Sequence, residues 1–290
     1  MIIRIKPKAI IATLLAVVII QLSFLMVENF YVKSVNGDAE EKVTIPIILY
    51  HSILTKDKII DRYTITPSEL ESDLEYVRDN GYTTITMSDL IDYVYDGKAL
   101  PVKPLIITFD DGYLNNYEYA YPLLKKYEMK AVLSIIGCYV DLFTNEKSDN
   151  LVYSHINWDQ VNALLESGCF ELQNHTYSLH TKKKGRVGAK IKRGESLEHY
   201  EKILTEDIGG FQQLITEKTG YTPNTFVYPY GEVSKESILI LKDMGFRASL
   251  STYGGINYLT RDPDMLFGLK RNDRPRGVSS RTFFTGIYKK

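Results

Sequence analysis

Two hydropathy patterns alternate along this chain. Short runs, apolar, β-branched or mixed, at residues 45–50, 82–86, 105–109, 131–136, 170–174, 225–228 and 246–250 read as strands, and 45–50 and 105–109 as buried ones. Between them lie segments with apolar residues at helical spacing. In the first, Thr66, Pro67 and Glu69 supply a cap, a first-turn proline and a capping-box acid; Leu70, Leu74 and Val77 then keep one face apolar, and Gly81 closes the helix. Ser88 caps the next predicted helix, which runs through Asp96, and further helices are predicted over 116–127, 158–166, 197–219 and 234–244. Seven or so strand–helix units in one stretch predict an α/β fold with a parallel barrel. Residues 43–290 read as one domain, with no sequence repeat and no low-complexity tract.

The N-terminus departs from this pattern. Arg4, Lys6 and Lys8 precede an apolar run from Ala9 to Val27, interrupted only by Thr13, Gln21 and Ser23. At a rise of about 1.5 Å per residue the run approaches the roughly 30 Å of a bilayer's hydrocarbon core. Residues 1–28 are therefore expected to be a cytoplasmic flank and a single transmembrane signal anchor, and 29–42 a polar linker. The basic flank places the domain outside the cytoplasm. No small-x-small cleavage site is evident near 35–40; cleavage there would make the domain secreted.

Acidic and basic residues nearly cancel in the 290 residues, giving a formal charge of −1, so nothing global points to nucleic acid or a polyanion. One local exception is the acid-free basic stretch from Lys182 to Arg193, read as a solvated insertion or a dock for an anionic polymer. The two cysteines, Cys138 and Cys169, fall at opposite ends of predicted parallel strands and are expected to be small, buried and unpaired. No protein partner is predicted.

Candidate chemistry sits where the strands end. LIITFDDG delivers Asp110 and Asp111 to the tip of a strand, and two adjacent carboxylates stay ionised most readily beside a cation. HTYSLH places His175 at the tip of another strand with His180 five residues on. Two imidazoles and a carboxylate make a three-ligand site of the kind a catalytic zinc uses. His51 and the turn Tyr228-Pro229-Tyr230-Gly231 occupy two further strand tips. A histidine there can protonate a leaving group, and a backbone N–H of the turn can help hold an oxyanion. His155 and His199 have no such placement and read as exposed or structural.

These motifs resemble those of the polysaccharide deacetylases with the NodB homology domain, carbohydrate esterase family 4, from about Ile45 to the C-terminus. The five-residue histidine spacing and the upstream LYHSI are most like the poly-N-acetylglucosamine deacetylase branch. The resemblance implies a distorted (β/α)7-type barrel and a metal-dependent hydrolase that removes N-acetyl groups from an extracytoplasmic polysaccharide, either poly-N-acetylglucosamine or peptidoglycan. It assigns Asp110 as catalytic base, Asp111, His175 and His180 as ligands of one divalent ion (zinc, with cobalt, nickel or manganese as alternatives), and His51 as general acid. The arginine usual before Pro-Tyr is absent. Arg271, in LKR, either fills that place by orienting Asp110 or lies on the surface. Trp158 either lines the sugar groove with Tyr228 and Tyr230 or packs the helix start. The rival expectations are a catalytically silent glycan-binding domain and a glycoside hydrolase with paired carboxylates, the latter disfavoured by two imidazoles at the same mouth.

Overall fold

The computed structural model describes residues 42–55 and 61–289, together with Gln21 and Lys58. Apart from Gln21, the expected membrane segment 1–28 lies outside the described residues, as does the linker 29–42 apart from Lys42. Among the described residues no helix is long and apolar enough to cross a membrane. From Lys42 onward the chain forms one compact unit.

Twelve strands are described: β1 (Val43–Ile45), β2 (Ile47–Tyr50), β3 (Thr83–Thr84), β4 (Pro104–Phe109), β5 (Ala131–Ile135), β6 (Phe170–Asn174), β7 (Lys182–Lys183), β8 (Arg186–Val187), β9 (Thr225–Val227), β10 (Ala248–Leu250), β11 (Asn257–Leu259) and β12 (Asn272–Asp273). The main sheet runs β10-β9-β6-β5-β4-β2-β12 with every neighbouring pair parallel, and β3 extends the start of β4. The two ends of this order meet along one segment. Leu269 makes a parallel bridge to Leu250, while Asn272 and Asp273, three and four residues on, pair with Ile48 and Leu49 of β2. The sheet therefore curls round on itself. The parallel (β/α) architecture is as expected, and its curl is incomplete: the ladder thins to one pair between β6 and β9 and to a bridge at the Leu250–Leu269 seam.

Alternate residues of the strands serve two cores. Ile48, Tyr50, Ile107, Phe109, Leu133 and Ile135 pack with the surrounding helices, whereas Ile47, Ile106, Val132, Val227 and Leu250 join a second cluster with helix Met87–Tyr95. Burial on both faces is why these strands read as unbroken apolar runs.

Several boundaries differ from expectation for identifiable reasons. The run 45–50 is split at Pro46, which has no N–H to donate; the part before it turns to pair antiparallel with β11. Thr66 and Glu69 form the expected capping box. The next helix is capped by Thr86 with Asp89, not by Ser88, whose amide donates to the Glu171 carboxylate. The long segment 197–219 is two α-helices, Leu197–Leu204 and Gly210–Thr219, joined by a π-helical turn at Thr205–Gly209. Helix Gly137–Asn145 occupies what reads as loop, and Ser280–Ile287 adds a last helix whose Phe284 stacks on Tyr76. Both cysteines are free, as expected, but partly exposed instead of buried. The basic stretch forms the β7–β8 hairpin, with Lys182, Lys183 and Lys184 exposed. Arg186 is the exception to solvation, buried in a salt bridge with Glu195.

Candidate active site

The C-terminal ends of the parallel strands converge on a cavity of about 230 Å³ whose lining includes His51, Asp61, Tyr63, Asp110, Asp111, Tyr113, His175, His180 and Tyr230. A roomier hollow of about 570 Å³ around Tyr82, Asp92 and Lys130 has no histidine. Chemistry, not volume, singles out the strand-end cavity.

Asp110 and Asp111 leave β4 in opposite roles because the backbone turns sharply between them. The Asp110 amide still donates to Tyr50 O at 3.0 Å, continuing the ladder, whereas Asp111 adopts φ +71°. That left-handed conformation is costly outside glycine and marks a site held by its surroundings. His155 supplies part of the hold, its Nδ1 donating to Asp111 O at 2.8 Å. Gly112 repeats the positive φ, and a Cβ there would meet the Ile135 side chain at 2.9 Å.

The turn brings Asp111 to both loop histidines. Its Oδ1 lies 3.5 Å from His175 Nε2 and 3.4 Å from His180 Nε2, and the three ligand atoms fall within 4.8 Å of one another. That Oδ1 is buried and makes no hydrogen bond. His175 Nδ1 donates to Val227 O at 2.7 Å, which leaves Nε2 as the atom facing Asp111. Burial, reinforced by the neighbouring His175, pulls His180 down to about 4, so its imidazole is neutral near pH 7. Burial opposes charge on His175 as well, but the adjacent Asp111 and Asp110 carboxylates outweigh it and raise its pKa. An orphaned buried carboxylate oxygen facing two imidazole nitrogens fits a divalent cation with nitrogen and oxygen ligands.

Asp110 lines the same cavity but is held by other partners. Its two oxygens accept a bidentate pair from Arg271, Nη1 to Oδ1 and Nη2 to Oδ2, both at 2.7 Å, and Oδ1 also accepts from Ser134 Oγ at 2.6 Å. Arg271 is fully buried and not a surface residue; its Nε donates to Ser251 O at 2.7 Å. Burial would raise the Asp110 carboxyl, but the Arg271 charge, then His175, then the Arg271 hydrogen bonds overcome it and bring it down to about 2.

His51 follows β2 and lines the same cavity, with Nδ1 3.7 Å from Asp273 Oδ1. Asn116 Nδ2 donates to His51 O at 2.8 Å and fixes the backbone beneath it. Tyr230, at φ +60°, sets its ring centroid 4.5 Å from that of His180.

Two expected substrate contacts lie elsewhere. Tyr228 is fully buried, its hydroxyl 2.6 Å from Ser237 Oγ, because the chain turns outward only after it. Trp158 is buried in the helix-side core, and its Nε1 donates to Asp141 Oδ1 at 2.8 Å. It packs the helix start and does not line the cavity. His155 is structural, as one reading had it, but buried in an aromatic stack between Tyr113 and Tyr139. Ser134, Asp273 and the role of His155 escaped the sequence reading. Asp273 alone carried a signal, standing two residues after Arg271.

The model of the family described as polysaccharide deacetylase matches residues 97–249. The chain belongs to the polysaccharide deacetylase family. Within that family it is 25% identical over 231 residues to the poly-beta-1,6-N-acetyl-D-glucosamine N-deacetylase of Escherichia coli K12, covering 72% of this chain and 34% of the relative. It is 26% identical over 202 residues to the enzyme of the same name from Staphylococcus epidermidis, covering 70% and 66%. The chain thus spans about a third of the first relative's length and just under two thirds of the second's. Among solved polysaccharide deacetylase-like structures, a de-N-acetylase from Aggregatibacter actinomycetemcomitans superposes with a TM-score of 0.70 at 26% identity, covering 84% of this chain and 98% of that one. IcaB from Ammonifex degensii gives 0.67 at 25%, covering 84% and 95%. His51, Arg271 and Asp273 lie outside the stretch that the family model matches.

Proposed function

We propose that this chain is a metal-dependent N-deacetylase of an extracytoplasmic polysaccharide containing N-acetylglucosamine, poly-N-acetylglucosamine or peptidoglycan, held at the cell membrane by residues 1–28. The observation that carries the reading is the meeting, in one cavity, of the Asp111–His175–His180 trio, an ionised Asp110 clamped by Arg271, and His51. The names of the bacterial relatives support the choice of glycan.

Asp111, His175 and His180 would hold zinc, or cobalt, nickel or manganese, which when bound supplies Lewis acidity toward water and the acetamide oxygen. Asp110 takes a proton from the attacking water as its oxygen adds to the acetamide carbonyl carbon. The Arg271 clamp presents the carboxylate in one orientation and favours its ionised form near pH 7. As the C–N bond breaks, His51 gives a proton to the departing nitrogen, leaving acetate and a sugar amine. The backbone N–H of Tyr230 helps hold the oxyanion between these steps.

The test is acetate release by the purified chain from poly-β-1,6-N-acetylglucosamine and from peptidoglycan, with and without a chelator. Release abolished by the chelator and restored by zinc or cobalt is expected. Polymer binding with no metal-dependent acetate would instead establish a silent glycan-binding domain.

A further inference from the structure

The loop between the two histidine ligands has almost no regular structure, yet its backbone is held at nearly every step. The Thr176 amide donates to Asn174 Oδ1 at 2.9 Å, with Thr176 at φ +73°. The next two amides, of Tyr177 and Ser178, go to the two oxygens of one carboxylate: Asp207 Oδ1 and Oδ2, both at 2.9 Å. Ser178 Oγ adds a third bond to Oδ2 at 2.7 Å. From the other side, the carbonyls of Thr176 and Tyr177 accept from the amides of Gly137 and Cys138 at 3.0 and 2.9 Å.

Asp207 reaches the loop from an unusual place. It sits in the π-helical turn Thr205–Gly209 that interrupts the segment 197–219. The adjacent Ile208 offers its carbonyl to Asn174 Nδ2 at 3.1 Å. Such turns put one extra residue into the helix and recur at functional sites. Here the turn aims a carboxylate and a carbonyl at the two ends of the same short stretch, Asn174 to Ser178. No reacting atom is near Asp207, which lies outside the strand-end cavity.

We propose that Asp207 is a positioning residue for the metal site: by fixing the backbone of Tyr177 and Ser178 it sets the distance between His175 and His180, and the π-turn exists to place it. The inference rests on the metal-site reading above. Ionised carboxylates accepting backbone N–H groups form the stronger class of hydrogen bond, so the three bonds to Asp207 are the strongest of the ties that hold this loop.

The measurement is Zn²⁺ and Co²⁺ affinity of the full metal-free chain, with the Co²⁺ absorption spectrum as a report on ligand geometry and melting in chelator as a report on the fold. In Asp207→Asn an amide NH₂ replaces one acceptor and, in either orientation, faces a backbone N–H, that of Tyr177 or of Ser178. Affinity is expected to fall about 10- to 100-fold, the range for partners that orient metal ligands, with an altered Co²⁺ spectrum. Asp207→Glu is expected to recover part of the loss. Ser178→Ala removes only the hydroxyl bond and serves should Asp207→Asn fail to fold; its affinity is expected to fall three- to tenfold. Folded variants that match the wild type within twofold and share its spectrum would overturn the inference while leaving the metal site standing. A wild-type chain that binds neither ion would remove both.

Discussion

Replacing Arg271 with Met keeps an unbranched, though shorter, apolar stem and leaves Asp110 buried with one remaining donor, Ser134 Oγ. Breaking a buried ion pair from one side costs about 3–5 kcal/mol, because the charge left behind is uncompensated. An independent route gives a figure of similar order. The fall of the Asp110 pKa from 3.8 to about 2 is, at 1.36 kcal/mol per unit, roughly 2 kcal/mol of stability drawn from its charged form. For a domain of this size the loss lowers Tm by on the order of 10 °C. Its pH dependence is the sharper signature. In the wild type, Asp110's contribution is complete above its unfolded pKa near 3.8 and disappears only as pH falls through about 2, so this group is neutral to changes between pH 7 and 4.5. In Arg271→Met the folded carboxyl titrates above the unfolded one. Between those values the folded state binds more protons, and stability rises as pH falls. Urea denaturation in chelator at pH 7 and pH 4.5 should therefore show the wild-type-to-variant gap narrowing by at least about 1 kcal/mol at the lower pH. A gap under about 1 kcal/mol at pH 7, or one equal at both, would refute the account of Asp110 as a charge held by Arg271.

The paired aspartates should fail differently. Asp110→Asn is expected to keep its metal and lose about 10²- to 10⁴-fold in turnover, whereas Asp111→Asn should lose metal affinity by at least about 100-fold; equal metal loss in both would dissolve the division of labour. Trp158→Phe, which deletes the bond to Asp141 and three buried ring atoms, should cost about 2–3 kcal/mol in denaturation and leave KM for polymer within twofold. A tenfold rise in KM would return Trp158 to the sugar groove.

How far the sequence could be read depended on whether a residue's role is set by near neighbours or distant ones. Strand tips are local: an apolar run ending in Asp-Asp-Gly or His-Thr announces itself, and Asp110, Asp111, His51, His175 and His180 all meet at the expected cavity. Thr66 was legible as a cap because its partner Glu69 is three residues away. Ser134 was not, since nothing near it foretells that Asp110, 24 residues off, will accept its hydroxyl. Trp158 stayed open between groove and helix start, and Tyr228 was expected at the groove, for a related reason. Aromatic residues beside a site look alike in sequence whether they face the ligand or the core, and here Asp141 and Ser237 claim their polar atoms. His155 gave no signal, because its value lies in a ring nitrogen meeting the carbonyl of a strained residue 44 positions earlier.

The segment from Leu269 to Asp273 has a consequence for the order in which a working molecule comes into being. It bridges β10, pairs with β2 and carries the guanidinium that clamps Asp110, 161 residues upstream. One event of high sequence separation both brings the edges of the sheet together and sets the Arg271 clamp on Asp110. On the proposed function, a chain truncated after β10 would carry Asp111, His175 and His180 but leave Asp110 without its clamp, and the expected outcome is no acetate release from polymer.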